Sequence, residues 1–200
     1  PTRRRAVSDF DVTHNLVINY LYEIPSPRSG ALWALKNWQW GGIFQTSSGL
    51  PFSPLVSGDA LGLNSADVFD FADFIGGSGC GSNPTNPQNR FSYIKTQCFA
   101  FPNPGTRLGN AGRNSIRGPG LQEFDTSLIK STHVPKISEN FIVQFRAEMF
   151  NVANRVNYGT PLKASTFLFS QTGAPISSAG QLTQTSTSSR QVQFAIKLLF

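Results

Sequence analysis

Apolar and polar residues alternate along the last eleven positions of the chain. Between Arg190 and the carboxy terminus every second residue is apolar: Val192, Phe194, Ile196, Leu198 and Phe200. The residues between them are mostly polar. Because successive side chains of a β-strand point to opposite faces, this pattern predicts a strand with one apolar face and one more polar face.

Four earlier segments show the same alternation, although Val17 and Leu21 interrupt the polar row of the first. The predicted strands are about Asp11–Glu23, Asn37–Ser47, Leu121–Ser131, Asn140–Asn151 and Arg190–Phe200. Each runs roughly 10 to 13 residues, whereas ordinary strands usually have about five or six. Strands that cross a bilayer at a tilt need about 9 to 11 residues. The lengths therefore favour a transmembrane sheet.

Short and long connections alternate between these segments. About a dozen residues, Ile24–Lys36, join the first two segments, and a turn around His133–Glu139 joins the third and fourth. Long loops, residues 49–120 and 152–189, follow the second and fourth. Outer-membrane barrels have short turns on the periplasmic side and long loops outside. The sequence therefore predicts an all-β, antiparallel transmembrane β-barrel segment with long extracellular loops.

Five strands cannot close a barrel of this kind, because bacterial barrels use an even number of strands, from about eight upward. An open sheet would leave two unpaired edges, which lipid does not tolerate. We therefore expect residues 1–200 to be the carboxy-terminal part of one larger outer-membrane barrel domain.

Composition agrees with a membrane barrel and argues against other classes. Only 14% of the residues are charged, below the roughly 25% usual in soluble domains. No apolar run approaches the roughly 18 residues of a membrane-spanning helix. Half of the net charge of +6 comes from Arg3, Arg4 and Arg5, and the other basic residues are scattered. A nucleic-acid surface, which needs a basic stripe with aromatic residues, is therefore not expected.

Several motifs resemble TonB-dependent receptors of the Oar-like group. Gly109–Gly120 followed by Glu123–Lys130 is similar to the approach to a late strand in that group, and so is Phe145–Tyr158. Gln45–Phe52 is similar to the way the second strand leaves the membrane. The resemblance implies a barrel of about 22 strands around a plug domain, with ligand uptake driven by TonB.

The same resemblance implies that Phe200 belongs to the carboxy-terminal signal read by the barrel-assembly machinery. It also implies contacts with outer-membrane lipid, the rest of the barrel, the plug domain and TonB. The extracellular ligand stays open among siderophore, glycan, peptide and cobalamin, and no cofactor is implied. The expected location is the bacterial outer membrane.

Charged and amide side chains on the polar rows are expected to face the barrel lumen. They are Asp125, Gln144, Arg146, Glu148 and Lys197. Arg146 and Glu148 point the same way, and so do Asp125 and Lys197, which we expect on neighbouring strands. These groups could pair across strands and contact a plug, or they could line a substrate path. The structural role is favoured.

The chain has two cysteines, Cys80 and Cys98, in a stretch rich in glycine, asparagine and proline. Because their spacing does not suit a metal site, we expect a loop disulfide formed in an oxidising compartment. The preceding loop carries four acidic residues, namely Asp59, Asp67, Asp70 and Asp73. Calcium prefers carboxylate oxygens, but the spacing matches no calcium motif. We expect a solvated loop or a short helical turn there.

The sequence contains no recognisable catalytic motif. His14 and His133 lie far apart, and no Gly-x-Ser-x-Gly sequence occurs, so an enzyme is not expected. Two other interpretations stay open: a porin or adhesin barrel without TonB coupling, and a soluble secreted β-sandwich. The sandwich would enclose the apolar rows under a second protein layer, including Phe141, Phe145, Phe194 and Ile196.

Overall fold

The computed structural model describes residues 6–25, 34–60, 62, 69–103 and 107–200. Arg3, Arg4, Arg5 and Asp67 lie outside the described residues. In chain order the strands are β1 (Asn15–Ile24), β2 (Trp38–Ser47), β3 (Pro51–Phe52), β4 (Leu55–Ser57), β5 (Phe69–Phe71), β6 (Asp73–Phe74), β7 (Phe99–Ala100), β8 (Ile116–Arg117), β9 (Leu121–His133), β10 (Ile142–Phe150), β11 (Phe167–Phe169) and β12 (Gln191–Leu199). A short helix, α1, spans Lys163–Thr166, and 3₁₀ turns span Arg90–Ser92 and Thr96–Cys98.

The chain divides into two compact units, which we call the sheet unit and the loop unit. The sheet unit consists of Asn15–Ser47, Gln122–Asn157 and Thr187–Phe200. The loop unit consists of Pro1–His14, Ser48–Leu121 and Tyr158–Ser186. The long strands β1, β2, β9, β10 and β12 build the sheet unit, and the short strands and α1 build the loop unit.

The long strands form a five-stranded sheet with the order β1-β2-β9-β10-β12. β1 pairs antiparallel with β2, and β10 pairs antiparallel with both β9 and β12. In this register Phe145 lies opposite Lys130 on one side and opposite Ile196 on the other. The prediction of an all-β antiparallel sheet is confirmed. The strand ends shift by at most four residues, the largest difference being a first strand that begins at Asn15 rather than Asp11.

Each long strand presents an apolar row on one face of the sheet and a more polar row on the other. On β12, Phe194 is 69% exposed and Ile196 is 71% exposed. Leu16 and Ile18 on β1 are also exposed, so no described residue encloses these parts of the apolar face. An exposed apolar surface of this extent marks a contact with a membrane or a partner protein.

The loop unit is built from short strands that surround a core of its own. β4 pairs with β5 and β11, β3 pairs with β8, and β6 pairs with β7. The core includes Val56, Ile94, Ile116 and Leu168, each at most 1% exposed. Both connections predicted as long loops contribute to it. Strands of two or three residues are too short to show an alternating pattern, so they could not be predicted from hydrophobic periodicity.

Cys80 and Cys98 form a disulfide within this core. Both residues are buried. The main chain next to the bridge is also fixed, because the N–H of Ile75 donates to the carbonyl of Cys98 at 3.0 Å. The two cysteines are 18 positions apart, so the bridge restricts the unfolded chain and thereby stabilises the folded loop unit.

Replacing both cysteines, Cys80→Ala and Cys98→Ala, should lower the free energy of unfolding of the loop unit by about 3 kcal/mol, as expected for a closed loop of this length. Urea denaturation of the full chain measures the effect. Reducing the unsubstituted protein should give the same change as the double variant. An unchanged midpoint in both experiments would show that the bridge adds no stability.

Candidate functional site

Three of the predicted lumen residues form one line of contacts on β10. Arg146 Nε donates to Gln144 Oε1 at 2.9 Å, and Arg146 Nη1 lies 3.6 Å from Glu148 Oε1. Gln144 Nε2 donates to Ser131 Oγ of β9 at 3.2 Å. These contacts hold the Arg146 guanidinium group along the polar face. These contacts therefore fix hydrogen-bond donors and acceptors in place along the polar face of β10.

Asp125 and Lys197 lie on the same face as this row, but their strands are not neighbours. β10 separates β9 from β12, and Lys197 lies opposite Gln144. Asp125 Oδ1 accepts a hydrogen bond from the main-chain N–H of Asn151 at 2.8 Å, just beyond the end of β10. The prediction of neighbouring strands is therefore wrong, because these two charges are too far apart along the sheet to pair.

Asn151 organises the turn that follows β10, a role that the sequence analysis missed. Its side chain is buried, with 1% of the residue exposed. Nδ2 donates to the carbonyls of Arg155 and Ser188, both at 2.9 Å, and Oδ1 accepts from the N–H of Arg155 at 2.9 Å. Both N–H donors and the oxygen of one amide thus close the turn and tie it to the segment before β12.

Two further asparagines extend this network at intervals of three residues. Asn157 accepts from the N–H of Gln122 and donates to its carbonyl, both at 3.0 Å. Asn154 Oδ1 accepts from the N–H of Arg190 at 3.1 Å. Asn151 and Asn154 have φ of 47° and 48°, a conformation that asparagine tolerates better than most residues. The regular spacing of these asparagines was a usable sequence signal.

Aromatic side chains dominate the apolar face of the sheet. Tyr20 packs edge-to-face against Trp40, with ring centroids 5.1 Å apart. Phe145 contacts Trp38 at 6.5 Å and Phe194 at 6.1 Å. A ring on β1 therefore contacts one on β2, and Phe145 of β10 contacts rings on both β2 and β12.

The polar groups in the middle of this face are satisfied by one another. Thr126 Oγ1 accepts from Trp40 Nε1 at 2.7 Å, lies 3.3 Å from Tyr20 Oη and donates to the carbonyl of Gly41 at 2.9 Å. Unsatisfied polar groups cost several kcal/mol in hydrocarbon. The arrangement therefore suits a face that contacts an apolar solvent.

The loop unit contains a cavity of about 790 Å³. Its apolar lining residues are Pro51, Phe52, Leu55, Phe69, Phe71, Leu108 and Pro161. Phe69 packs edge-to-face against Phe71 at 6.4 Å, and Lys163 Nζ lies 4.7 Å from the centroid of the Phe69 ring. Mostly apolar cavities of this size with a few polar groups bind small ligands. This cavity is the candidate ligand site.

Residues of the amino-terminal segment form a polar rim on this cavity. Asn114 Nδ2 donates to Asp9 Oδ1 at 2.5 Å and to the carbonyl of Val7 at 2.8 Å. Arg113 Nη2 lies 3.0 Å from Asp9 Oδ2. The hydrogen bond from Asn114, aided by the charge of Arg113, lowers the pKa of Asp9 from its ordinary value in spite of some desolvation.

Two acidic residues of the predicted solvated loop are in fact buried. Asp70 on β5 is 4% exposed, and its Oδ2 has no hydrogen-bond partner among the described residues. Asp70 pairs with Val56 in the strand register and lines the candidate cavity together with Phe69 and Phe71. The prediction of a solvated loop is wrong here, because these short strands pack into the core.

Asp73 on β6 forms a bidentate pair with Arg107, with N–O distances of 2.7 and 2.8 Å. Its Oδ1 also accepts from the N–H of Asn110 at 2.7 Å. Across the described ranges, no three histidine, cysteine or acidic side chains come together to hold a metal ion. Asp67 lies outside those ranges, and the structure gives no support for a calcium site at the other three aspartates.

Comparison with known protein families matches residues 1–193 to a family described as an outer membrane beta barrel domain. The match covers nearly the whole chain. The chain belongs to this family. Comparisons with curated proteins and with solved structures found no match.

Membership in the outer membrane beta barrel family places the protein in the bacterial outer membrane. The long strands are then transmembrane strands, and the apolar face contacts membrane lipid. The soluble β-sandwich interpretation is wrong, because the family places the chain in the outer membrane and no described residue covers Phe194 or Ile196.

No helix in the described part of the chain is long and apolar enough to cross a membrane.

In this outer-membrane barrel protein, the motif Gly109–Gly120 has a structural role within the loop unit. Arg117 Nη1 donates to the carbonyl of Asp11 at 2.9 Å, and Arg117 Nη2 pairs with the carboxylate of the same residue. A side chain at Gly109 would lie 1.9 Å from the carbonyl oxygen of Phe71, so only glycine fits beside β5. The motif therefore holds the amino-terminal segment and the edge of β5 in place.

The polar rim of the cavity, which is held by Asp9, should become less stable in acid. The pKa of Asp9 is lower in the folded state than the value of about 3.9 in an unfolded chain. Ionised Asp9 therefore stabilises the rim above about pH 4, and this contribution is lost as the pH falls through the folded-state pKa. Hydrogen exchange of residues 6–14, corrected for intrinsic rates, should accelerate below about pH 4.

The matched variant for this experiment is Asp9→Asn, which should show at neutral pH the exchange that the unsubstituted protein shows in acid. Equal protection of residues 6–14 in the two proteins at neutral pH would contradict the role of the Asp9 carboxylate.

The two faces of β10 should respond differently to a new positive charge. Phe145→Arg places arginine on the lipid face of β10 and should make folding into bilayers less favourable by about 1–2 kcal/mol, a value between the costs at the midplane and at the interface. Gln144→Arg, one residue away on the polar face, is the control and should have a small effect. Equal tolerance of both substitutions in urea titrations of the bilayer-inserted protein would rule out this assignment of faces.

Proposed function

We propose that this protein is a TonB-dependent outer-membrane receptor in which the described strands form barrel wall and the loop unit captures an extracellular ligand for uptake. It binds and transports the ligand without catalysing a reaction on it. The observation that carries the proposal is the cavity of about 790 Å³ in a loop unit with its own core and disulfide. A pore that only admits solutes needs no preformed cavity of this kind.

The connections between strands support an extracellular position for the loop unit. Residues 25–37 join β1 to β2, and residues 134–141 join β9 to β10. The segments of the loop unit join β2 to β9 and β10 to β12. Because outer-membrane barrels carry their long connections outside, we expect these segments to be accessible to extracellular ligands.

The polar row of β10 supports a contact with a plug domain inside the barrel. Gln144, Arg146 and Glu148 already hold one another in place, and each keeps further hydrogen-bonding capacity. A plug bonded to this row would close the lumen until TonB acts on it. The motifs shared with Oar-like receptors support the TonB step and a barrel of about 22 strands.

Uptake can be tested without knowing the ligand. Cells with and without the gene for this protein, each with and without TonB, are grown in medium containing yeast extract, and mass spectrometry follows the disappearance of its components. We expect components that are depleted only when both genes are present. Depletion that persists without TonB would indicate a porin instead, and depletion that does not depend on the gene would refute transport.

The cavity can be tested in the same cells with a double variant, Phe69→Ala and Phe71→Ala. Contacts with aromatic side chains are worth about 1.5–3 kcal/mol each, so uptake at low ligand concentration should fall by about tenfold or more. Phe91→Ala, at an exposed aromatic residue elsewhere in the loop unit, is the matched control. Surface levels of all variants are measured with an antibody. Normal uptake by the double variant would exclude this cavity as the ligand site.

A further inference from the structure

One end of the apolar face carries a hollow next to a positive charge. The hollow has a volume of about 320 Å³ and is lined by Ile24, Pro25, Leu35, Trp38 and Leu128. It lies where β1 ends and β2 begins. Since the apolar face contacts lipid, an apolar hollow at the end of the strands lies within reach of acyl chains.

Lys130 belongs to the apolar row of β9 rather than to the polar row. It lies opposite Phe145 in the register, and directly opposite residues of an antiparallel pair share a face. A lysine on the lipid face is costly at the centre of the bilayer but nearly free of cost at its surface. We therefore expect the ammonium group of Lys130 to lie at the boundary between the hydrocarbon core and the lipid headgroups.

The contacts of Lys130 fix its ammonium group at this end of the sheet. Nζ donates to the carbonyl of Ala34 at 2.5 Å and to that of Lys36 at 3.4 Å, and it lies 5.3 Å from the centroid of the Trp38 ring. Trp38 Nε1 donates to the same Ala34 carbonyl at 2.7 Å. Trp38 thus both lines the hollow and lies next to the ammonium group.

We propose that this hollow and the ammonium group of Lys130 form a binding site for one anionic phospholipid. An acyl chain fills the hollow beside Trp38, and the positive charge of Lys130 attracts the phosphate. The site selects lipids by charge, since the hollow alone would accept any acyl chain. This inference concerns the barrel wall and does not depend on the proposed uptake function.

Fluorescence quenching of Trp38 tests the proposal. The full-length protein is reconstituted in bilayers in which the lipids with brominated acyl chains are either phosphatidylglycerol or phosphatidylcholine. The difference in quenching between the unsubstituted protein and the Trp38→Phe variant gives the contribution of Trp38. We expect phosphatidylglycerol to be preferred over phosphatidylcholine by roughly fivefold, the effect of one lysine at an anionic surface.

Lys130→Met removes the charge and leaves an apolar side chain on the lipid face. It should abolish most of the preference for phosphatidylglycerol, while Trp38 stays quenched by both lipids. Lys95→Met, at a lysine of the loop unit whose ammonium group donates to the carbonyl of Gly79, is the matched control and should leave the preference unchanged. Equal quenching by the two lipids in the unsubstituted protein would overturn the proposal, and so would a preference that survives undiminished in Lys130→Met. Absence of quenching at Trp38 would show that protein, rather than lipid, fills the hollow.

Discussion

A strand in hydrocarbon has no water to bond its main chain, so every N–H and C=O must find a partner in the protein. In the sheet unit β2, β9 and β10 have neighbours on both sides, whereas β1 and β12 stand at the two ends of the strand order. The outer edges of β1 and β12 therefore need partners from beyond the described sheet, as closure into a barrel would supply. The same requirement explains why the strands are long and continuous.

The two faces of the sheet contact different environments, and this is why the long strands could be predicted from sequence. One face must be apolar for lipid and the other can be polar, so a period of two persists over nine or more residues. Strand ends were less accurate, because a residue such as Asp11 can follow the alternation and still be held elsewhere, here by Arg117. The prediction that Asp125 and Lys197 lie on neighbouring strands was wrong, because alternation shows which face a residue occupies but not the order of the strands.

The loop unit could not be predicted in the same way. Its strands have two or three residues, and its core joins positions far apart in the chain, such as Val56 and Leu168. Asp70 shows most clearly where prediction from sequence fails. An acidic residue in a polar loop is expected to be solvated, but Asp70 lies buried on β5. The candidate cavity follows from this packing, so its lining had no sequence signal. The asparagines after β10 did have one, because Asn151, Asn154 and Asn157 recur at a regular interval.

The internal structure of the loop unit bears directly on how a ligand could be captured. A loop that orders only when the ligand arrives loses part of the binding free energy as conformational entropy. Here the core around Val56 and Ile94, the Cys80–Cys98 bridge and the Arg117–Asp11 contact order the loop unit during folding. The cavity walls at Phe69 and Phe71 are therefore in place before binding. The proposed receptor would gain affinity for its ligand from this preorganisation without any additional contact.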